Sequence, residues 1–235
     1  MLNSILFSTL FYIKIHYYIN MIKRINTILI VVTIYTLFTI ILSVLYNNIY
    51  VSAKEVNDLM YFKTYFSNND IIGSLKIKGT NINTLLVKGN DNKYYLNHSI
   101  YKEEDIKGSI FVDYRTNLNS NQINIYGHNS KKYNLMFKEL EKYKDKEFYN
   151  EYKVIEIWDG NKINKYKIFS IQIVRKDSYH MNINLVNKES YIKKLNKSIY
   201  YTGENASVND KILILQTCNY KPKNTYILII AKLII

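Results

Sequence analysis

Between Ile25 and Ala53 the chain carries no charged side chain, and its stretch 28–45, ILIVVTIYTLFTIILSVL, is almost wholly apolar. An apolar helix of about 20 residues matches the hydrocarbon thickness of a bilayer. Such a segment cannot also serve a water-soluble core, so a globular fold has to be built from the residues after it. Lys23 and Arg24 stand directly before the run. Their positive charge places residues 1–24 in the cytoplasm and everything beyond residue 50 outside. A cleaved signal peptide is the alternative. The apolar core is longer than a signal peptide requires, however, and no small-x-small pattern closes it before VSA at 51–53. The expectation is an uncleaved anchor over 25–50. Within 1–20, Lys14 and His16 interrupt an apolar stretch short of a spanning length. MIKRINTILIVV, from Met21, reads as a basic leader followed by the anchor, so Met21 is the expected start and 1–20 an over-extended reading frame.

Residues 51–70 read as a membrane-proximal helix or stalk, with Val56, Leu59, Met60 and Phe66 at roughly helical spacing in KEVNDLMYFKTYF and SNND as its breaker. From residue 71 to 235 short strand-like runs alternate with turn signals: IGSLKI, TLLVKG, YYLN, GSIFVDY, INIYGH, VIEIW, KYKIFSIQIV, KILILQT and YILIIAKLI. DGNKIN between VIEIW and KYKIFSIQIV predicts a hairpin. Two helices are expected. One covers 134–148, with Met136, Phe137, Leu140 and Tyr143 on one face and Asn134 as its cap. The other covers 188–200, capped by Asn187, with Ile192, Leu195 and Ile199 inward. Many short strands with few helices predict a mostly β, mostly antiparallel barrel or sandwich with peripheral helices.

The net charge of +13 invites a nucleic-acid reading. Yet the only arginines are Arg24, Arg115 and Arg175, and lysines and glutamates are interspersed, as in KELEKYKDKEF. Nucleic-acid binding calls for a basic stripe rich in arginine, so no such partner is expected. A solvated lysine surface, compatible with an anionic envelope, accounts for the charge. The single cysteine, Cys218, excludes an internal disulfide. No second cysteine or close His/Asp/Glu cluster accompanies it, so neither a metal nor another cofactor is expected.

Cys218 ends one strand-like run, LILQTC, and His128 ends another, INIYGH; the other histidines are His16, His98 and His180. Two strand ends can meet at one barrel rim. An imidazolium there would stabilise a thiolate, and the same ring would later protonate a leaving amine. Taken singly, a lone cysteine among apolar residues is equally a small core filler, and a histidine after Tyr-Gly equally caps a turn.

Read together, YYLNHSIYKEEDIKGSIFVDYRTN, then INIYGHNS with LMFKELEKY, then KILILQTCNY with ILIIAKLI resemble a class B sortase from about Ile71 to the C-terminus. The order also agrees: anchor, histidine, then cysteine near the end of a β-rich domain. The resemblance implies a sortase-type β-barrel and a membrane-bound cysteine transpeptidase of a Gram-positive bacterium. Such an enzyme cuts a sorting signal of the NPQTN, NPxTG or PPxTG type after threonine. It holds the product as a thioester and passes it to an amine of a peptidoglycan precursor or a pilin. By position, the resemblance makes Cys218 the nucleophile and His128 the general acid–base. Thr217 and Gln216 would line the acyl site, and Asn97 and Tyr179 fall where the substrate peptide is contacted.

One departure stands out: the family's arginine before the last apolar run is Tyr226 here, a neutral donor in place of a charged fork. Arg175, in IVRKDSY, and Arg115, in DYRTN, are the arginines that could substitute for it. Two other readings stay open. One is an impaired sortase-like protein that binds sorting signals without cutting them. The other is an L,D-transpeptidase-like wall enzyme, although LQTCNY lacks that group's glycine before cysteine.

Overall fold

The structure, a computed structural model, describes residues 21–45, 58–130, 133, 135–176, 187–200 and 204–234. The chain divides into two units, Met1–Val56 and Asn57–Ile235. The first contains helix α1, Met21–Leu45, long and apolar enough to cross a membrane. Its threonine and serine hydroxyls are satisfied within the helix: Thr33, Thr36, Thr39 and Ser43 each donate to the carbonyl three residues back, and Thr27 to that of Lys23. An apolar surround demands this internal pairing.

The second unit opens with α2, Asp58–Tyr65, and is built on eight strands. These are β1 Ile71–Ile77, β2 Asn83–Val87, β3 Phe111–Val112, β4 Gln122–Tyr126, β5 Val154–Trp158, β6 Ile163–Arg175, β7 Ile212–Asn219 and β8 Thr225–Leu233. They close into a barrel in the order β1-β2-β3-β4-β7-β8-β6-β5. Pairing is antiparallel except for β2 with β3 and β4 with β7. Gly160, at φ +97°, turns the chain from β5 into β6, the hairpin expected at DGNKIN.

Strand alternation explains why β7 and β8 are apolar at nearly every position. Leu213, Leu215, Ile227 and Ile229 point into the barrel with Leu75, Ile123 and Ile125. Ile212, Ile214, Leu228 and Ile230 face outward, under Tyr191, Ile192 and Leu195 of α4, Lys188–Leu195. Both faces are buried, so a continuous apolar run suits them. On the far wall Leu59, Phe62 and Phe66 pack over Ile71, Val87, Tyr95, Phe111 and Tyr126.

Three expectations are corrected. YYLN is no strand: Tyr94–Leu96 forms a 3₁₀ turn. It starts where the Asp91 carboxylate accepts the backbone N–H of Lys93 and of Tyr94, both at 2.8 Å. The helix expected over 134–148 is a 3₁₀ helix, Met136–Lys144, followed by α3, Lys146–Glu151. Phe137, Leu140 and Tyr143 are spaced by three, the 3₁₀ repeat, and all three are buried in the barrel cluster, whereas Met136 is exposed. Asn134, the expected cap, lies outside the described residues; Asp145 caps α3 instead, accepting from the Phe148 N–H. Finally, α4 is capped by Asn187 as expected but ends at Leu195, leaving Ile199 57% exposed.

Candidate active site

Every residue of β4 pairs in parallel with the residue 90 positions later in β7, from Gln122 with Ile212 to Tyr126 with Gln216. Past the end of β4 the match is held by side chains. Thr217 Oγ1 donates to the Gly127 carbonyl at 2.7 Å, and the Gly127 N–H donates to the Gln216 carbonyl at 3.3 Å. Asn129 Nδ2 donates to the Cys218 carbonyl at 2.9 Å, and the Tyr220 hydroxyl donates to the Asn129 carbonyl at 2.6 Å. These bonds bracket His128 and Cys218, bringing the two strand ends together at one barrel rim.

Gly127 is required by packing. A Cβ there would lie 2.6 Å from the ring of Phe137, which plugs the barrel interior. The glycine lets the chain pass over that ring and present His128. The imidazole is then held by a donor bond from Nε2 to the Leu96 carbonyl oxygen at 2.7 Å. A carbonyl only accepts, so Nε2 carries the proton and Nδ1 is the nitrogen left for proton exchange. A cavity of about 480 Å³ opens beside His128, lined among others by Ser99, Glu103, Glu104, Met136 and Phe137. Cys218 is a free thiol, half-buried.

The remaining expected residues fall in different places. Gln216 shares the outer face of β7 with Cys218 and is buried. Thr217 points the other way, its hydroxyl committed to Gly127. Asn97 is exposed and ends the 3₁₀ turn whose Leu96 holds His128. Tyr179 lies outside the described residues, as do His16 and His180. Arg115 forks onto the buried Asp113, Nε to Oδ1 at 2.9 Å and a terminal nitrogen to Oδ2 at 2.6 Å, with the Tyr126 hydroxyl also donating to Oδ2. It lines a cavity with Gln122 and Ile212, at the opposite end of β4 and β7 from Cys218. That placement removes Arg115 as a substitute cation.

Tyr226 is the direct cross-strand partner of Cys218. Burial, and then the proximity of the Cys218 charge, raise its hydroxyl above the ordinary phenol range, so it stays a protonated donor. Arg175 pairs with Thr225, one residue along, which by strand alternation sets it on the face away from Tyr226 and Cys218. Leu96 and Asn129, which position the histidine and the end of β7, were not foreseen. HNS places Asn129 next to the histidine, but nothing in the sequence marks Leu96, whose part is a backbone carbonyl reached across 32 residues.

Together these features give a thiol, an imidazole of fixed tautomer and a neutral donor at one rim, a set suited to acyl transfer through sulfur. The family described as "Sortase domain" matches residues 75–234. Sortase B of Staphylococcus aureus is 37% identical over 179 residues, covering 71% of either chain. The crystal structure of Clostridium perfringens sortase B aligns with TM-score 0.68 and 34% identity, over 75% of this chain and 99% of that one. A Staphylococcus aureus sortase B–substrate complex aligns with TM-score 0.68 and 28% identity, over 80% and 90%. The chain therefore belongs to the sortase family, in its class B, whose members are cysteine transpeptidases.

Proposed function

We propose that this transpeptidase uses Cys218 as nucleophile and His128 as general acid–base to cut a sorting signal of the NPQTN, NPxTG or PPxTG type after its threonine. The observation that carries the reading is the β4–β7 register, extended by Thr217 and Asn129 so that the two strand ends stay together. The Cys218 thiolate attacks the threonine carbonyl carbon and the C–S bond forms. The oxygen becomes an oxyanion near the Tyr226 hydroxyl, a neutral donor. Collapse breaks the C–N bond, and the departing amine takes the proton from His128 Nδ1. A second amine then attacks the thioester, returns a proton to Nδ1 and releases the thiolate.

That second amine belongs to a peptidoglycan precursor or a pilin. A substrate complex and a triglycine complex of sortase B support a peptide donor and an amine acceptor of this kind. Residues 25–50 anchor the chain with 1–24 in the cytoplasm, 51–70 connect the anchor to the barrel, with Leu59, Phe62 and Phe66 docked on the barrel wall, and 71–235 work outside the cell. The exposed apolar surface of α1 supports the anchor. The test incubates the full chain, in detergent, with peptides of the three types and hydroxylamine. Mass spectrometry should find a threonine hydroxamate, absent with Cys218→Ala and His128→Gln. Tight binding without cleavage in the wild type would make the chain a sorting-signal binder instead.

A further inference from the structure

We propose that Lys176 is the positioning residue for the Tyr226–Cys218 pair, setting its ammonium over the Tyr226 ring and supplying the positive field that the phenol lacks. The inference rests on the reading of Cys218 as a working thiolate. Lys176 Nζ lies 5.6 Å from the centroid of the Tyr226 ring, within the range in which a cation is attracted to a π face. Tyr226 in turn stands directly opposite Cys218. Three side chains from three neighbouring barrel segments therefore line up as cation, ring and thiol.

The register accounts for this alignment. A β-bulge between Ile168 and Ser170 shifts the alternation of β6. Beyond it Ile171 and Ile173 face the interior beside Ile229 and Ile227, while Val174 stands on the outer face with Tyr226. Continued by two residues, the same phase puts Lys176 on the side of Tyr226 and Cys218, and Arg175 on the other. Among the described residues, the titratable and charged groups at this rim are His128 after β4, Tyr220, Lys221 and Lys223 in the turn from β7 to β8, Tyr226 on β8, and Arg175 and Lys176 at the end of β6. Lys144 and Glu141 lie behind Asn219 and Asn129. Lys144 is bonded to the Asn219 side chain, and among the described residues it is Lys176 whose ammonium lies over the ring of Tyr226.

A cation here does two things. It holds the ring against the thiol, and it favours negative charge on sulfur and on the oxyanion. The test follows alkylation of Cys218 by iodoacetamide against pH in the full chain, which needs no sorting peptide. Lys176→Met keeps the aliphatic stem and removes the charge. It should slow alkylation at neutral pH by about three- to tenfold by moving the profile upward, and the difference should shrink in high salt. Lys176→Arg should restore the wild-type profile, and adding Tyr226→Arg to Lys176→Met should restore it as well. An unchanged profile in Lys176→Met, or a loss that Lys176→Arg does not rescue, overturns the proposal. If no peptide is cleaved while alkylation still responds to the charge at 176, the proposed function fails and the role of Lys176 stands.

Discussion

The Thr217 hydroxyl donates to the Gly127 carbonyl at 2.7 Å, carrying the β4–β7 register one residue past the last paired residue of β4. Thr217 is buried and its hydroxyl is turned away from the face that bears Cys218, so its service to the site is to fix where His128 begins. Thr217→Val keeps the shape and removes the bond, leaving a carbonyl short of one partner. Stability should fall by about 1 kcal/mol, and peptide turnover should drop about tenfold through misplacement of His128. Thr217→Ser should keep both. Thermal melts and steady-state cleavage check this; unchanged turnover in the valine variant would detach the bond from catalysis.

Gly127→Ala tests the same hinge from the other side. The new methyl would sit 2.6 Å from the Phe137 ring, and a packed interior does not give way freely. Overpacking of this kind costs about 1–3 kcal/mol, and the shift would lift His128 off the Leu96 carbonyl. Shrinking the ring with Phe137→Leu in the alanine background should recover part of the cleavage rate. If the double variant is no better than Gly127→Ala alone, the contact with Phe137 is not what fixes the glycine.

Where both faces of a strand are buried, the sequence shows it openly, as in ILILQT and YILII; Cys218 falls near the end of β7 and His128 two residues past the end of β4, close to the limits read from LILQTC and INIYGH. Less was legible where one side chain redirects the backbone. YYLN reads as a strand by composition, yet Asp91, two and three residues ahead of the N–H groups it caps, turns the chain into a 3₁₀ helix. The spacing of Phe137, Leu140 and Tyr143 did carry the 3₁₀ period, but a spacing of three also fits one face of an α-helix. The choice between Arg175 and Lys176 lay beyond the sequence altogether. It depends on the phase of β6, which an unseen bulge at Ile168/Ser170 inverts.

The pairing of Asp113 with Arg115 predicts a pH dependence of stability that is separate from the site. Burial opposes the charged carboxylate. The side-chain bonds from Arg115 and Tyr126 and the Arg115 N–H outweigh it, holding Asp113 below its ordinary value of 3.8. A depressed carboxylate stabilises the fold at pH values above its unfolded value, and that contribution is lost as pH falls through the lower folded value. Stability should therefore decline as the solution is acidified below about pH 4. Arg115→Met strands the buried carboxylate and should cost about 3 kcal/mol at neutral pH, with turnover of the folded fraction within about twofold of wild type. A large loss of turnover would return Arg115 to the site.

Substitution of Tyr226 decides how complete the site already is. Its hydroxyl is protonated, and its ring lies between the Lys176 ammonium and the Cys218 strand position. Tyr226→Phe keeps the ring and the cation above it but removes the donor. Loss of one donor to a developing oxyanion typically costs about 100- to 1,000-fold in turnover. A fall of that size would place the hydroxyl at the oxyanion, whereas a fall below about tenfold would leave charge from Lys176 as the main support. Tyr226→Arg separates the remaining cases. An impaired site should gain about 100-fold or more from a charged fork beside the thiol. A site already served by Tyr226 and Lys176 together should gain less than about threefold, because the second cation repels the first and repeats its work. The structure predicts the smaller gain, together with loss of sensitivity to Lys176→Met in the arginine background. Cleavage rates of the four chains, wild type, each single variant and the double, measure that coupling directly.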